Sequence, residues 1–292
     1  MSPDVPEVEI FPVLKDKVAL ITGGAQGMGK VTAEVFLKAG AKVVMCDIQD
    51  DKGKEVAREL SPLGEIYFSK TDISSSEQVS ALVQFVVDKF GRLGCAINNA
   101  GLTPDNGTLL DFDENYWDKL MSITLTGTAL CVKYQMRQFI AQGGGGSIVN
   151  IASINAFKPQ PNMPAYTSAK HAIVGLTKHA SMEGGPHNIR VNAVAPGAIF
   201  TAMAEEALKI MKTTHDEFAP KVSYLNRFGL PREVAQASLW LSSPSASYVT
   251  GVVLPVDGGF LAKQIVVLKM FSKCHVHSSG MPTHGKMLPI NS

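Results

Sequence analysis

The sequence predicts an α/β protein built on one parallel sheet of seven strands, covered by helices on both faces. Two observations carry this prediction. From Lys17 onward, short Val/Ile/Ala-rich runs alternate with longer segments of helical period, the pattern of parallel strands joined by crossover helices. The runs are apolar without strict alternation, as expected of strands buried on both sides. They fall at residues 18–22, 42–46, 65–69, 95–98, 146–151, 189–194 and 252–256, and the intervals are long enough for right-handed crossovers. The glycines at 143–146 precede the fifth run and read as a loop that absorbs an insertion. Residues 1–14, Pro-rich and acidic, and residues 263–292 read as extensions that flank a domain at 15–262.

Composition narrows the function classes. The 292 residues are 45% hydrophobic and 18% charged, the balance of a globular chain of one large or two smaller domains. Lys plus Arg (27) nearly cancels Asp plus Glu (26), so no global field favours nucleic acid or an anionic membrane as partner. Cys46, Cys95, Cys131 and Cys274 are scattered, which argues for reduced core thiols rather than a disulfide framework or a cysteine-based zinc site. The N-terminus is acidic where a signal peptide would be basic and then apolar, and no run reaches about 18 apolar residues. A cytoplasmic chain is the expectation.

The first run leads into Thr22-Gly-Gly-Ala-Gln-Gly-Met-Gly29. Placed between a strand and a helix, this loop can aim backbone amides at a pyrophosphate. Gly23 suits the tight turn, Gly27 the close approach of phosphate, and Gly29 close packing of helix on strand; Gln26 and Met28 complete the loop. Asp47 ends the second run about 20 residues later, where a carboxylate accepts bonds from the adenosine ribose hydroxyls. It would repel a 2′-phosphate, and Ile48, Gln49, Asp50 and Asp51 offer no cation to hold one. NAD is therefore expected over NADP.

Three further motifs, Asn98-Asn-Ala-Gly101, Tyr166-Thr-Ser-Ala-Lys170 and Pro196-Gly-Ala-Ile-Phe-Thr201, follow in order. With the glycine loop they make the chain resemble the short-chain dehydrogenase/reductase family from about Lys17 to Phe260. The resemblance implies a single doubly wound, Rossmann-type domain, a homodimer or homotetramer, and hydride transfer between NAD(P) and a carbonyl or alcohol. It also implies that Tyr166 is the acid/base, that Lys170 lowers its pKa and binds the nicotinamide ribose, and that Ser153 hydrogen-bonds the substrate oxygen. Further cofactor contacts are implied at Asp72, Ile73, Asn99, Ala100 and Gly101, and at Pro196, Gly197, Ile199 and Thr201. Asn98 and Asn99 could equally satisfy backbone groups at a strand end, and Asn150 reads as structural. The departure is Thr124, at the position where the family carries a fourth catalytic residue, an Asn. A Thr keeps the backbone carbonyl there, and its hydroxyl can bond a carbonyl one turn earlier and bend the helix.

Asn155, Phe157 and Met163 flank Ser153 and Tyr166 and are expected to line the substrate site together with Met203. Residues 200–228 read either as an apolar lid or as ordinary packing, since Met203, Ala207 and Met211 recur every four residues. A medium-sized, largely apolar secondary alcohol or ketone follows. The rival readings are a non-redox isomerase or cyclase built on the same fold, and a non-catalytic NAD-binding protein. In the tail, Cys274, His275, His277 and His284 are poorly spaced for a closed metal site, so no metal is expected. The apolar run 264–271 could pack across a subunit interface.

Overall fold

Each predicted run becomes a strand of one sheet. In the computed structural model, residues 6, 8–210 and 212–263 are described, without the side chains of Met203, Glu206, Ala207 and Ile210. Met211, the run 264–271 and the tail residues Cys274, His275, His277 and His284 lie outside the described residues. The chain runs β1 (Val18–Thr22), α1 (Gly27–Lys38), β2 (Lys42–Asp47), α2 (Asp50–Leu60), β3 (Ile66–Lys70), α3 (Ser76–Phe90) and β4 (Cys95–Asn98). It continues through α4 (Glu114–Leu120), a π-helical segment (Met121–Gly127), α5 (Thr128–Gln142), β5 (Gly146–Ile151), α6 (Pro164–Gly184) and β6 (Ile189–Pro196). It ends with α7 (Ala202–Ile210), α8 (His215–Val222), α9 (Pro231–Ser242) and β7 (Val253–Val256).

The strand order is β3-β2-β1-β4-β5-β6-β7, and every pairing is parallel. The order reverses between β1 and β4, which opens a crevice beyond the carboxyl ends of those strands. Side-chain alternation explains why the strands read as continuous apolar runs. Ala19 and Ile21 face a core with Phe36 of α1, Val56 of α2 and Val234 of α9. Val18 and Leu20 face the opposite core with Leu82 of α3, Phe139 of α5 and Ala180 of α6. Both faces of β1 are apolar because both are covered.

The folded unit begins earlier than the expected boundary at residue 15. Leu14 is 1% exposed within the first of these cores, and its amide donates to Ala39 O at 3.0 Å. Burying a leucine contributes about 2 kcal/mol, enough to hold this end of the extension on the domain. At the glycine run, Gly143, Gly144 and Gly145 take positive φ and reverse the chain after α5, while Gly146 opens β5. Cys46, Cys95 and Cys131 are buried free thiols, and burial pushes Cys95 and Cys131 up to about 12. No described helix is long and apolar enough to cross a membrane.

Candidate functional site

At the switch point the glycine loop leaves β1 and enters α1. Gly27 has φ +54°, and a Cβ built there meets nothing within 4 Å, so open space lies before the first turn of α1. Gly29 has the opposite environment: a Cβ would stand 2.0 Å from Gly23 O and 2.7 Å from Asn99 Nδ2. One glycine leaves room for a ligand and the other lets α1 lie against the turn and the end of β4. The first turn of α1 carries no acidic residue, so its unpaired amides and dipole suit a pyrophosphate. Gln26 Oε1 accepts a bond from Lys52 Nζ. Met28 packs against the core.

Asp47 stands at the rim. Its Oδ2 accepts from Ala25 N and its Oδ1 from Gln49 N, both at 3.1 Å, which fixes the carboxylate between the glycine loop and the start of α2. With a longer bond from Gln49 Nε2 to Oδ1 at 3.4 Å, the carboxylate still keeps a lone pair on Oδ2 for a ribose hydroxyl.

The end of β4 is laced to the glycine loop. Thr22 Oγ1 accepts from Asn99 N and Ala100 N at 3.0 Å each, while Asn99 Nδ2 donates to Thr22 O and Gly23 O. The Asn99 amide is thus used in shaping the loop. Asn98 bonds Gln135 and Asn150, and Asn150 continues to Thr177, a buried network in which every member has a partner. Asp72 Oδ1 accepts from Ser74 N and Ser74 Oγ. Ile73 is buried, and a Cβ at Gly127 would touch its side chain. On the far side, Gly197 N donates to Val256 O at 2.9 Å, which holds the turn after Pro196 to β7. Ile199 is in the core, and Thr201 Oγ1 accepts from Ala204 N at the start of α7.

Ser153, Tyr166 and Lys170 converge. Ser153 lies two residues beyond β5, and its Oγ accepts from Asn155 N at 3.1 Å and engages the Tyr166 hydroxyl. Tyr166 and Lys170 lie one turn apart on α6, with Lys170 Nζ 5.4 Å from the Tyr166 ring centroid. Lys170 is 5% exposed, and its Nζ donates to Ile151 O at 2.7 Å. Burial pulls its pKa down to about 8. Burial also raises the Tyr166 pKa, opposed in part by the Ser153 hydroxyl. The trio can therefore hold a proton on a phenol beside an ammonium that sheds its own proton near pH 8.

Thr124 departs from its expected bond. Its hydroxyl does not reach back along its own helix; it accepts from Leu102 N of the loop after β4 at 3.1 Å, close to Gly101. The back-bonding hydroxyl is that of Thr128, which donates to Thr124 O at 2.7 Å. The helix distortion is present as the π-helical segment that contains Thr124.

On the substrate side, Asn155 is buried, its Nδ2 donates to Met163 Sδ at 3.5 Å, and its Oδ1 accepts from Gln160 Nε2 at 2.9 Å. These contacts join the turn after Ser153 to the turn before Tyr166. Phe157 is 46% exposed. In the lid segment, Leu208, Ala219 and Phe228 pack with Phe200, Ala204 and Phe218, and His215 sits between Phe200 and Phe228 at ring distances of 5.9 and 4.7 Å. Packing accounts for these residues, and Tyr224 lies on the 258–262 turn instead. The Met203 side chain lies outside the described residues.

Asp105 also belongs to the site, although no motif singles it out. Its carboxylate accepts from Ala165 N and Tyr166 N. Lys52 and Thr128 escape sequence reasoning as well, since one is defined by a partner distant in sequence and the other by helix geometry.

A parallel sheet in this order, with a glycine loop at its switch point, defines a doubly wound dinucleotide-binding protein. The model of a family described as enoyl-(acyl carrier protein) reductase matches residues 23–261. The short chain dehydrogenase/reductase astE of Aspergillus oryzae is 43% identical over 248 residues, 84% of this chain and 95% of that protein. The 2,5-dichloro-2,5-cyclohexadiene-1,4-diol dehydrogenase of Sphingobium indicum is 40% identical over 255 residues, 85% of this chain and 98% of the relative. The crystal structure of levodione reductase superposes with a TM-score of 0.80 at 35% identity, covering 86% of this chain and all of that one. The chain belongs to the short-chain dehydrogenase/reductase family. It is an oxidoreductase of a family that works with nicotinamide cofactors.

Proposed function

We propose that the protein is an NAD(H)-dependent oxidoreductase that interconverts a medium-sized, largely apolar secondary alcohol and its ketone, with Tyr166 as acid/base. The observation that carries this reading is the convergence of Ser153, Tyr166 and Lys170 in a fold whose glycine loop leaves open space at Gly27. The bound nicotinamide supplies or accepts the hydride. The glycine loop (Gly23, Gln26, Gly27, Met28, Gly29) holds the pyrophosphate, and Asp47 the adenosine ribose. Asp72, Ile73, Asn99, Ala100 and Gly101 border the adenine and ribose side. Pro196, Gly197, Ile199 and Thr201 border the nicotinamide side.

The chain's own groups divide the work. Ser153 Oγ accepts from Asn155 N and its O–H turns from the Tyr166 hydroxyl to the substrate oxygen, where it stabilises charge. The raised Tyr166 pKa keeps the phenol protonated at neutral pH, ready to protonate the alkoxide formed on reduction. In oxidation the same group must lose its proton, and the Lys170 ammonium favours the phenolate. Lys170 spends one donor on Ile151 O and keeps two for ribose hydroxyls. Asp47 supports NAD over NADP: residues 48–51 are uncharged or acidic, and Lys52 is engaged by Gln26. Thr124 stands where the family carries Asn, and its carbonyl, already bonded by Thr128, is left to continue a relay from Lys170. Asn155, Phe157 and Met163 line the substrate side. The diol named for the Sphingobium relative makes cyclic alcohols the first candidates. We place the enzyme in the cytoplasm as a homodimer or homotetramer.

The test offers cyclic and linear secondary alcohols and ketones with NAD(H) or NADP(H) and follows NAD(P)H absorbance. Turnover that prefers NAD is expected. Tight NADH binding without turnover on any substrate would favour the non-redox readings.

A further inference from the structure

The loop that follows β4 is tied down at successive points. Asn99 and Ala100 bond Thr22, Leu102 N bonds Thr124 Oγ1, Thr103 bonds Tyr116, and Gly107 N bonds Asn162 O. Between these anchors Asp105 reaches α6. Its Oδ2 accepts from Ala165 N at 3.0 Å and its Oδ1 from Tyr166 N at 2.9 Å.

These two bonds complete the accounting at the start of a 21-residue helix. The first amides of a helix lack internal partners, and a local side-chain cap usually serves them. Here Met163 at the cap position offers no such bond. Pro164 has no N–H, and Thr167 N turns back to Met163 O at 2.9 Å. Ala165 and Tyr166 are left, and a carboxylate about sixty residues earlier takes one of them on each oxygen. An anion there also complements the helix dipole, and charge-assisted bonds are the stronger kind.

We infer that Asp105 is a positioning residue for Tyr166, fastening its backbone to a strap that begins at the glycine loop and passes Thr124. The inference rests on the reading of Tyr166 as the acid/base. The strap gives the phosphate-binding turn, the π-helical segment and the proton-transferring helix one common frame, so that the phenol keeps its place relative to a bound dinucleotide. Displacement of a reacting group by about 1 Å can cost about a hundredfold in rate.

The test compares wild type with Asp105→Ala and Asp105→Asn. Asp105→Ala is expected to lower kcat roughly 10- to 100-fold while KM for NAD and the NADH dissociation constant stay within about twofold. The solvent deuterium isotope effect on kcat should rise, because proton transfer through Tyr166 becomes slower. Asp105→Asn keeps one acceptor oxygen and should recover part of the rate. Hydrogen exchange of the Ala165 and Tyr166 amides should quicken in Asp105→Ala with the rest of α6 unchanged. A lowered Tm with unchanged kcat and isotope effect would reduce Asp105 to a structural cap and overturn the inference, as would a loss of NADH affinity equal to the loss of kcat. If wild type turns over no alcohol or ketone, the oxidoreductase reading fails on its own. Amide exchange still decides on Asp105: unchanged exchange in Asp105→Ala overturns the strap, and local quickening supports it.

Discussion

Replacing Lys170 with Met should abolish turnover and stabilise the protein. Burial moves the Lys170 pKa from 10.5 to about 8, and each pKa unit corresponds to 1.36 kcal/mol, so keeping this ammonium charged in the fold costs about 3 kcal/mol at pH 7. The side chain is 5% exposed, so solvent screening scarcely reduces that figure. Methionine fills similar space without a charge, but it leaves Ile151 O without its 2.7 Å partner, a loss of about 1–2 kcal/mol. Urea denaturation should therefore find Lys170→Met more stable than wild type by about 1–2 kcal/mol at pH 7. The pH dependence carries the sign. A depressed lysine pKa means that the unfolded chain binds the proton more tightly, so the penalty is complete below pH 8 and fades as pH rises toward 10.5. By pH 10 the advantage of the variant should have fallen by about 2 kcal/mol and vanished or reversed. Cys46, Cys95 and Cys131 have raised pKa values, which act with the opposite sign above about pH 9; they are common to both proteins and cancel in the difference. A stability difference that stays constant from pH 7 to 10 would refute the claim that Lys170 carries a buried, desolvated charge.

Three other perturbations separate the parts of the site. Asp47→Ala removes the acceptor at the ribose and the repulsion of a 2′-phosphate, so kcat/KM with NAD should fall about 10- to 100-fold while that with NADP holds or rises; an unchanged NAD/NADP ratio would remove Asp47 from cofactor selection. Gly27→Ala places a Cβ in the open space at φ +54°, with a conformational cost of about 1–2 kcal/mol. NADH affinity should drop in a protein that still folds, whereas Gly29→Ala drives a Cβ to within 2.0 Å of Gly23 O and should fail to give soluble protein. Thr124→Val removes the acceptor of Leu102 N and should lower unfolding free energy by about 1–2 kcal/mol, with NADH affinity unchanged in fluorescence titration.

Strands and loop glycines were legible because their causes are local. Ala19 and Leu20 face different cores, yet both are apolar, so β1 announces itself as a short continuous run and only a two-sided parallel sheet explains it. Gly27 and Gly29 follow a strand at fixed offsets, and the structure leaves open space at the first and packs backbone against the second. What escaped depends on pairing across the fold. Asn99 matches a cofactor motif, but the approach of β1 turns its amide onto Thr22 O and Gly23 O. Thr124 was expected to bond within its own helix, whereas the loop beyond β4 brings Leu102 N to it. Leu14 follows an acidic, Pro-rich stretch and reads as an extension until Ala39, just past the end of α1, supplies its carbonyl as a partner. Asp105 lies in a loop without a motif, and only the path of that loop over α6 reveals two amides waiting for a carboxylate.

The central claim is that Tyr166 moves the proton while the rest of the site holds the cofactor. It is tested most directly by comparing wild type and Tyr166→Phe on the best alcohol or ketone, with NADH binding measured on both. The account predicts that kcat falls by about a thousandfold or more while NADH binds the variant nearly as tightly as wild type. Turnover within tenfold of wild type in Tyr166→Phe would contradict it.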